Sequence, residues 1–419
     1  MTARRPIRVA VVNTHPIQYF APLYAHLNRD PELEVTALYC CDFSLGAGLD
    51  PGFRRPVSWD IDLLHGYPFV FAGTSGEWEP RRGFWSLRCP MLWSEIRSGK
   101  YDVVWLHGYN YLASIIAFAA AKSTGLPVMM RSETHLGLPR RGNRRRARDS
   151  VLSLVYRFVD AFLAIGSANR AYYRSLGVQE SRIFEVPYTV DNDRFLADSQ
   201  CTLAERQEIR GRLRLPLHEP VVLFASKLLR RKHPEIVVRA VGALREAGHK
   251  VTLFIVGSGE MEHDLRHMAA SNDPEAVVFG GFINQQELPK VYAACDIFVL
   301  PAEDEPWGLV VNEVMCAALP VIVSDQVGCA ADLVRPGVNG YLFPAGDVVS
   351  LTRSIEKLLV QEGIRREMGI ASRVIISRWG FEECRLGLTS ALASVLPADL
   401  RRQGGDKSKG MWHTASVCR

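Results

Sequence analysis

The sequence predicts an α/β protein made of two doubly wound, Rossmann-like domains that face each other across a cleft. Three observations carry that prediction. Short β-branched apolar runs alternate with helical patterns along the whole chain, as they do where parallel strands are buried on both faces. The alternation halts in the polar segment Val190-Asp-Asn-Asp-Arg-Phe195 and then restarts, which divides the chain there. Between Asp296 and Ala318 a buried strand, a loop and a helix start follow one another, and open α/β sheets bind ligands at such strand ends.

In chain order, Ile7–Asn13 reads as the first parallel strand, followed by Thr14-His-Pro-Ile-Gln-Tyr19 and a helix to about Leu27. Glu34–Tyr39 is a second strand. Residues 42–98, rich in Gly, Pro and aromatics, give no assignable pattern. Tyr101–His107 and Pro127–Arg131 are strands around a helix that ends near Lys122. Ser150–Val159 is an amphipathic helix, Ala161–Ile165 a strand, Asn169–Leu176 a helix stopped by Gly177, and Ile183–Val186 a last short strand. The second half supplies strands Val221–Ser226, Val251–Val256, Val277–Gly280, Asp296–Leu300 and Val321–Ser324, each leading into a helical pattern. The resulting division is 1–195, 196–376, a final helical stretch over 377–396, and a Gly/Lys/Arg-rich tail over 397–419 that composition predicts to be disordered.

With 419 residues, 47% of them hydrophobic and 23% charged, the chain is long enough for two full cores and has a globular composition. The nine cysteines lack metal-ligand spacing and read as reduced thiols of a cytoplasmic protein. The apolar run Ile7–Val12 contains Arg8 and is too short for a signal peptide, and Leu112–Ala121 is about half a membrane span. The net charge of +5 says little, but Arg140–Arg148 holds six arginines ahead of an amphipathic helix. That run suits an anionic lipid surface, a solvated loop or an acidic glycan; nucleic acid is disfavoured because no reader motif or interleaved aromatics accompany it.

The stretch Pro301-Ala-Glu-Asp-Glu-Pro-Trp-Gly-Leu-Val-Val-Asn-Glu-Val-Met-Cys316 is the chemical centre of the sequence. A helix beginning at Gly308, Leu309 and Val310 offers backbone N–H groups and positive dipole charge to an anion. Glu305 and Glu313 bracket that anion site. Carboxylates so placed suit hydroxyls, which donate charge-assisted hydrogen bonds to them. A ligand with a diphosphate in the middle and polyols at both ends fits this layout, as a nucleotide-sugar does.

Glu305-Pro-Trp-Gly-Leu followed by Glu313-Val-Met-Cys-Ala-Ala-Leu-Pro-Val-Ile-Val-Ser resembles the E-x7-E signature of the retaining glycosyltransferases of family 4, and the resemblance extends over most of the chain. It implies the GT-B fold, with the final helix returning to the N-terminal domain. It also implies sugar transfer from a nucleotide-sugar to an acceptor hydroxyl, with the acceptor attacking on the face the phosphate leaves. No covalent protein intermediate, cofactor or divalent metal is then expected. Lys227 and Lys232 match the family's cationic pair on the donor phosphates, with Lys where Arg is commoner. By the same resemblance Glu305 holds the transferred sugar, Glu313 the ribose, Gly257 borders the nucleotide and Phe282 lies near the base.

Each remaining candidate carries a plainer alternative. Gly257 also suits a tight strand–helix turn, and Lys227 and Lys232 also suit solvated surface charge. His15 stands where many family members have a Gly-rich loop, although a subgroup opening with His-Pro-Ile-Gln-Tyr is similar; it serves the donor phosphates or merely the turn. His107 ends its strand toward the same cleft edge, as an orienting imidazole or as a structural one. Arg131 and Glu133 line the acceptor side or hold a loop together. The acceptor expected is a glycan or a lipid-linked intermediate, with peripheral membrane contact through Arg140–Arg148. Two rivals stand beside the transferase: another GT-B enzyme, an epimerase or a phosphorylase, and a GT-B-shaped carbohydrate-binding protein without catalysis.

Overall fold

The computed structural model describes residues 5–73, 80–137, 143–398 and 400. The first half contributes strands β1 (Ile7–Asn13), β2 (Leu33–Tyr39), β3 (Gly48–Asp50), β4 (Arg55–Val57), β5 (Phe69–Phe71), β6 (Val103–His107), β7 (Val128–Arg131), β8 (Ala161–Ala164) and β9 (Ile183–Glu185). Seven of them form one parallel sheet in the order β5-β2-β1-β6-β7-β8-β9, while β3 and β4 pair only with each other as an antiparallel hairpin. The second half contributes β10 (Val221–Ala225), β11 (Thr252–Val256), β12 (Val277–Gly281), β13 (Ile297–Leu300), β14 (Val321–Ser324) and β15 (Gly340–Phe343), all parallel in the order β12-β11-β10-β13-β14-β15.

Central strands carry side chains that are buried on both faces, as in β10, β11, β13 and β14, so their sequences are unbroken apolar runs. The strand order reverses between β1 and β6 in one sheet and between β10 and β13 in the other. A crevice opens where successive connections leave on opposite faces. In the second sheet this sets the loop after β10 directly beside the loop after β13, which brings residues 227–232 to residues 301–308.

Several elements depart from the sequence reading. The helix expected from Ser150 begins at Asn143 and so takes in the end of the arginine run. The strand β15 is absent from that reading because Gly340-Tyr-Leu-Phe343 is four residues long and only half buried. Gly340 is required there: a Cβ would meet the carbonyl oxygen of Val321 at 1.8 Å. Within 42–98 lie the β3–β4 hairpin, β5, two 3-10 turns that meet at a kink at Gly83 within Pro80–Ser86, and the helix Met91–Ile96. The polar stretch 190–195 runs into the helix Asn192–Asp198, where the Asp191 carboxylate accepts from the Arg194 amide at 3.1 Å. Of the tail expected over 397–419, residues 397, 398 and 400 are described, with the Leu400 amide donating to the Pro397 carbonyl at 3.0 Å, and the others lie outside the described residues.

The helix Phe381–Val395 packs against β8, β9 and the helix Phe20–Leu27 of the first domain, and Arg385 pairs with Asp30 at 3.0 Å. The two chain crossings between domains are tied together. Asn192 Nδ2 donates to the carbonyls of Ile376 at 3.0 Å and Trp379 at 3.2 Å, and the Thr189 hydroxyl also donates to Trp379. Aromatic packing continues across the junction from Tyr188 to Trp307, 6.2 Å, and from Trp307 to Trp379, 5.4 Å. Gly387 makes the last helix fit, because a Cβ there would lie 1.7 Å from the Glu185 carbonyl oxygen. Gly387→Ala should therefore lower the unfolding free energy by about 1–3 kcal/mol, the usual cost of overpacking. Urea denaturation checks this, and an unchanged midpoint would show that the helix is not seated as described.

Candidate functional site

The facing ends of the two sheets enclose a cleft cavity of about 500 Å³. Its walls come from both domains, with His15, Tyr19, Asp50, Phe53, Trp59 and Glu133 on one side. On the other stand Lys227, Arg231, Lys232, Gly257, Phe282 and Glu305, together with Gly308, Leu309, Val310 and Glu313.

Lys227 stands at the end of β10 with Nζ 2.9 and 3.0 Å from the two carboxylate oxygens of Asp50, which arrives from the β3–β4 hairpin of the other domain. Asp50 Oδ1 also accepts from the amides of Gly52 at 2.8 Å and Phe53 at 3.0 Å. Burial works to raise this carboxyl group's pKa, but Lys227 and the two amides outweigh it and hold it below its ordinary value. Lys232, buried, pairs with Glu305 Oε2, and Arg231 donates to the same oxygen at 3.2 Å. Against burial, the two cations hold Glu305 below the usual carboxylate range. Burial in turn pulls the Lys232 ammonium down, partly offset by Glu305. Three cations thus converge at one end of the cleft.

The loop that delivers Glu305 is held tightly. Its carbonyl oxygen accepts from the Gly328 amide at 2.9 Å and lies 3.2 Å from His135 Nε2. Gly308, at φ 92°, turns the chain into the helix Leu309–Cys316, whose first residues face the cavity. Glu313, one turn further, is buried. Its Oε2 accepts from Tyr292 at 2.5 Å, and Tyr19 reaches it from the opposite domain. Burial outweighs these donors and pushes Glu313 up to about 6, while Oε1 is buried without a hydrogen-bond partner among the described residues.

His15 Nδ1 lies 2.9 Å from the Thr14 hydroxyl and its ring meets Phe43 edge-on at 5.6 Å. Burial pushes it down to about 4, with Asp50 opposing and Lys227 assisting, so it is neutral at pH 7. Gly257, at φ 129°, has no room for a side chain, since a Cβ would sit 2.0 Å from the Ser226 carbonyl oxygen. Glu133 accepts from Tyr188 at 2.6 Å, and burial raises its pKa.

His107 and Arg131 do not line the cavity; they lie beneath its floor. The His107 ring stacks on Trp105 at 5.0 Å, with Nε2 3.0 Å from the Tyr24 hydroxyl, and burial holds its pKa well below the ordinary value. The Arg131 guanidinium lies over Tyr188 at 4.9 Å and Phe20 at 5.5 Å and donates to the Pro187 carbonyl at 3.3 Å. Arg131 backs the wall residue Tyr188, whereas His107 packs among Trp105, Tyr24 and Phe20. Conversely, Arg231, Asp50, Tyr19 and Tyr292 belong to the cleft and escaped the sequence reading. Arg231 was masked by its neighbours in a run of basic residues. Asp50 lies in the unassigned stretch, and the two tyrosines meet Glu313 only through the tertiary fold. Among the described residues, no group of three His, Cys, Asp or Glu side chains is arranged to hold a metal ion.

Two parallel sheets facing across a cleft of this size and charge define the GT-B architecture. Residues 16–189 match the family model described as the glycosyl transferase 4-like domain, and residues 205–374 match that described as glycosyl transferases group 1. Between them these two models span most of the chain, which belongs to the glycosyltransferases that pair these two domains. It is 28% identical over 230 residues to a D-inositol 3-phosphate glycosyltransferase of Xylanimonas cellulosilytica, covering 53% of this chain and 54% of the relative. It is also 28% identical over 259 residues to a GDP-mannose-dependent alpha-(1-6)-phosphatidylinositol monomannoside mannosyltransferase of Mycobacterium tuberculosis, covering 60% and 65%. The chain thus spans between half and two thirds of the length of these curated relatives. In fold it is similar to Anabaena HepE crystallised with UDP-glucose, with a TM-score of 0.68 at 19% identity over 93% of this chain and 100% of that one. Sucrose-phosphate synthase from Thermosynechococcus elongatus gives 0.70 at 18% identity over 91% and 97%.

Glu313 generates a test that needs no ligand. Its folded pKa, about 6, exceeds the ordinary 4.5, so the folded state holds the proton more tightly than the unfolded one. The resulting stability is fully present below pH 4.5 and lost as pH rises through 6. At pH 7.5 the buried ionised group costs about 2 kcal/mol. Glu313→Gln should therefore resist urea better than the parent at pH 7.5 and lose that advantage near pH 4. A variant weaker at both pH values would contradict this account.

Proposed function

We infer that the protein is a retaining glycosyltransferase that moves a sugar from a nucleotide-sugar to an acceptor hydroxyl. One observation carries this reading. In a single cleft, Lys227, Arg231 and Lys232 meet the start of the helix Leu309–Cys316, with Glu305 and Glu313 on either side of that anion site. The cations and helix amides stabilise the departing nucleoside diphosphate where its charge develops. Glu305 accepts from hydroxyls of the transferred sugar, and Glu313, whose Oε1 has no hydrogen-bond partner among the described residues, accepts from the ribose. Gly257 and Phe282 border the nucleoside, His15 stands by the phosphates as a neutral imidazole, and Glu133 faces the acceptor. Since three side-chain cations already supply positive charge at the leaving group, transfer proceeds without a divalent ion. The GDP-mannose of the mycobacterial relative and the UDP-glucose of the Anabaena protein are both nucleoside diphosphate sugars, consistent with such a donor here.

The expected outcome is thermal stabilisation by one series among UDP-, GDP- and ADP-sugars, with EDTA present. At a hundred times the dissociation constant the gain is about 2.7 kcal/mol. Glu313→Ala should abolish it, and Lys227→Ala should cut turnover about a hundredfold or more in a folded protein. No shift with any donor would leave a non-catalytic GT-B protein as the better reading.

The acceptor we favour is a glycan or lipid-linked intermediate of envelope or polysaccharide assembly, met at the cytoplasmic face of a membrane. No helix among the described residues is long and apolar enough to cross a bilayer. On the helix that takes in part of the arginine run, Arg148 donates to the Tyr109 hydroxyl at 2.6 Å, while Val151 and Leu154 are exposed. A basic turn beside exposed apolar residues suits an anionic surface. Pelleting with anionic vesicles should fall as salt rises and disappear when Arg144, Arg145, Arg146 and Arg148 are changed to Glu. Pelleting that survives those changes would remove the surface from the proposal.

A further inference from the structure

The β3–β4 hairpin reaches across the cleft to Lys227 and Phe282, residues of the donor site proposed above. Among the described residues it pairs with no strand of its own domain's sheet, and a lone two-stranded hairpin of three-residue strands is marginal by itself. Much of what holds it belongs to the other domain. Asp50 pairs with Lys227. The Phe53 ring lies 4.6 Å from Lys227 Nζ and 4.9 Å, edge-on, from the ring of Phe282. Ser258 Oγ donates to the Phe53 carbonyl at 3.0 Å, and Asn284 Nδ2 donates to the Ser58 carbonyl at 2.7 Å. The Arg55 guanidinium lies over the Phe282 ring, 4.9 Å from its centroid. Gly52 makes the approach possible, because a Cβ there would meet the Lys227 side chain at 2.6 Å.

We propose that this hairpin is an internal stand-in for the nucleotide, in which the Asp50 carboxylate takes the place of donor phosphate on Lys227 and Phe53 takes the place of the base on Phe282. The inference rests on the donor site described above. A carboxylate held by one ammonium and two backbone amides is bound as a phosphate oxygen is bound. Nucleoside diphosphate must therefore exchange with Asp50, and its apparent affinity is reduced by the fraction of molecules in which the hairpin is closed. Once displaced, the hairpin remains tethered beside the site, free to pack over the bound donor.

The test is calorimetric titration of the full chain with UDP, GDP and ADP, alongside hydrogen exchange of residues 48–60 without nucleotide. Asp50→Asn removes the charge and keeps the shape, and Gly52→Ala separates the hairpin from Lys227 while keeping Asp50. Both variants should bind the preferred diphosphate about five- to tenfold more tightly, as expected for loss of a partly exposed competing ion pair. Both should also exchange faster over the hairpin than the parent does. Parent-like or weaker affinity in both variants, with the parent still binding a nucleotide, would overturn the stand-in and leave the donor site intact. Binding by none of the three proteins would overturn both.

Discussion

Glu305 is a carboxylate sealed into protein beside Lys232 and Arg231, and the arrangement around it constrains much of the cleft. A buried ion is tolerated only when it is paired and hydrogen-bonded, and removing one partner from such a pair costs about 3–5 kcal/mol. The pair forms because β10 and β13 are neighbours, so the loops that leave them emerge side by side. The same adjacency turns the chain at Gly308 into the helix that carries Glu313. The loop backbone is locked from behind by Gly328, where a Cβ would meet the Pro306 carbonyl at 2.0 Å. The cleft is therefore charged before any ligand arrives, with its polar groups already oriented.

The sequence made the architecture legible because parallel strands buried on both faces leave unbroken apolar runs, and each run of β10 to β14 could be placed within a residue or two. It failed where that signal is weak. The edge strand β15 is half exposed, and the hairpin strands β3 and β4 are three residues each, with Val57 their one buried side chain. The helix Asn143–Tyr156 was read too short because arginines carry no apolar periodicity.

Candidate site residues follow a similar division. Glu305, Glu313, Gly308 and Lys227 were legible because they sit at fixed distances from strand ends within one domain. Residues that act across the cleft were not. Tyr19 belongs to the His-Pro-Ile-Gln-Tyr motif, yet its meeting with Glu313 depends on how one sheet faces the other. His107 and Arg131 end strands of the first sheet, as site residues often do, but Phe20 and Tyr188 roof them over. Position along a strand does not reveal what will be laid on top of it.

The return of the helix Phe381–Val395 to the first domain bears on how the chain is made. Domains usually fold in order as they leave the ribosome. This first domain cannot finish in its turn, since the helix that covers β8 and β9 is synthesised only after the whole second domain. Until then the strip around Val186 and Pro187, against which Gly387 and Cys384 of that helix sit, lacks its cover. The nascent first domain thus carries an exposed apolar edge throughout synthesis of the second, and a chain cut short after residue 376 would keep it permanently.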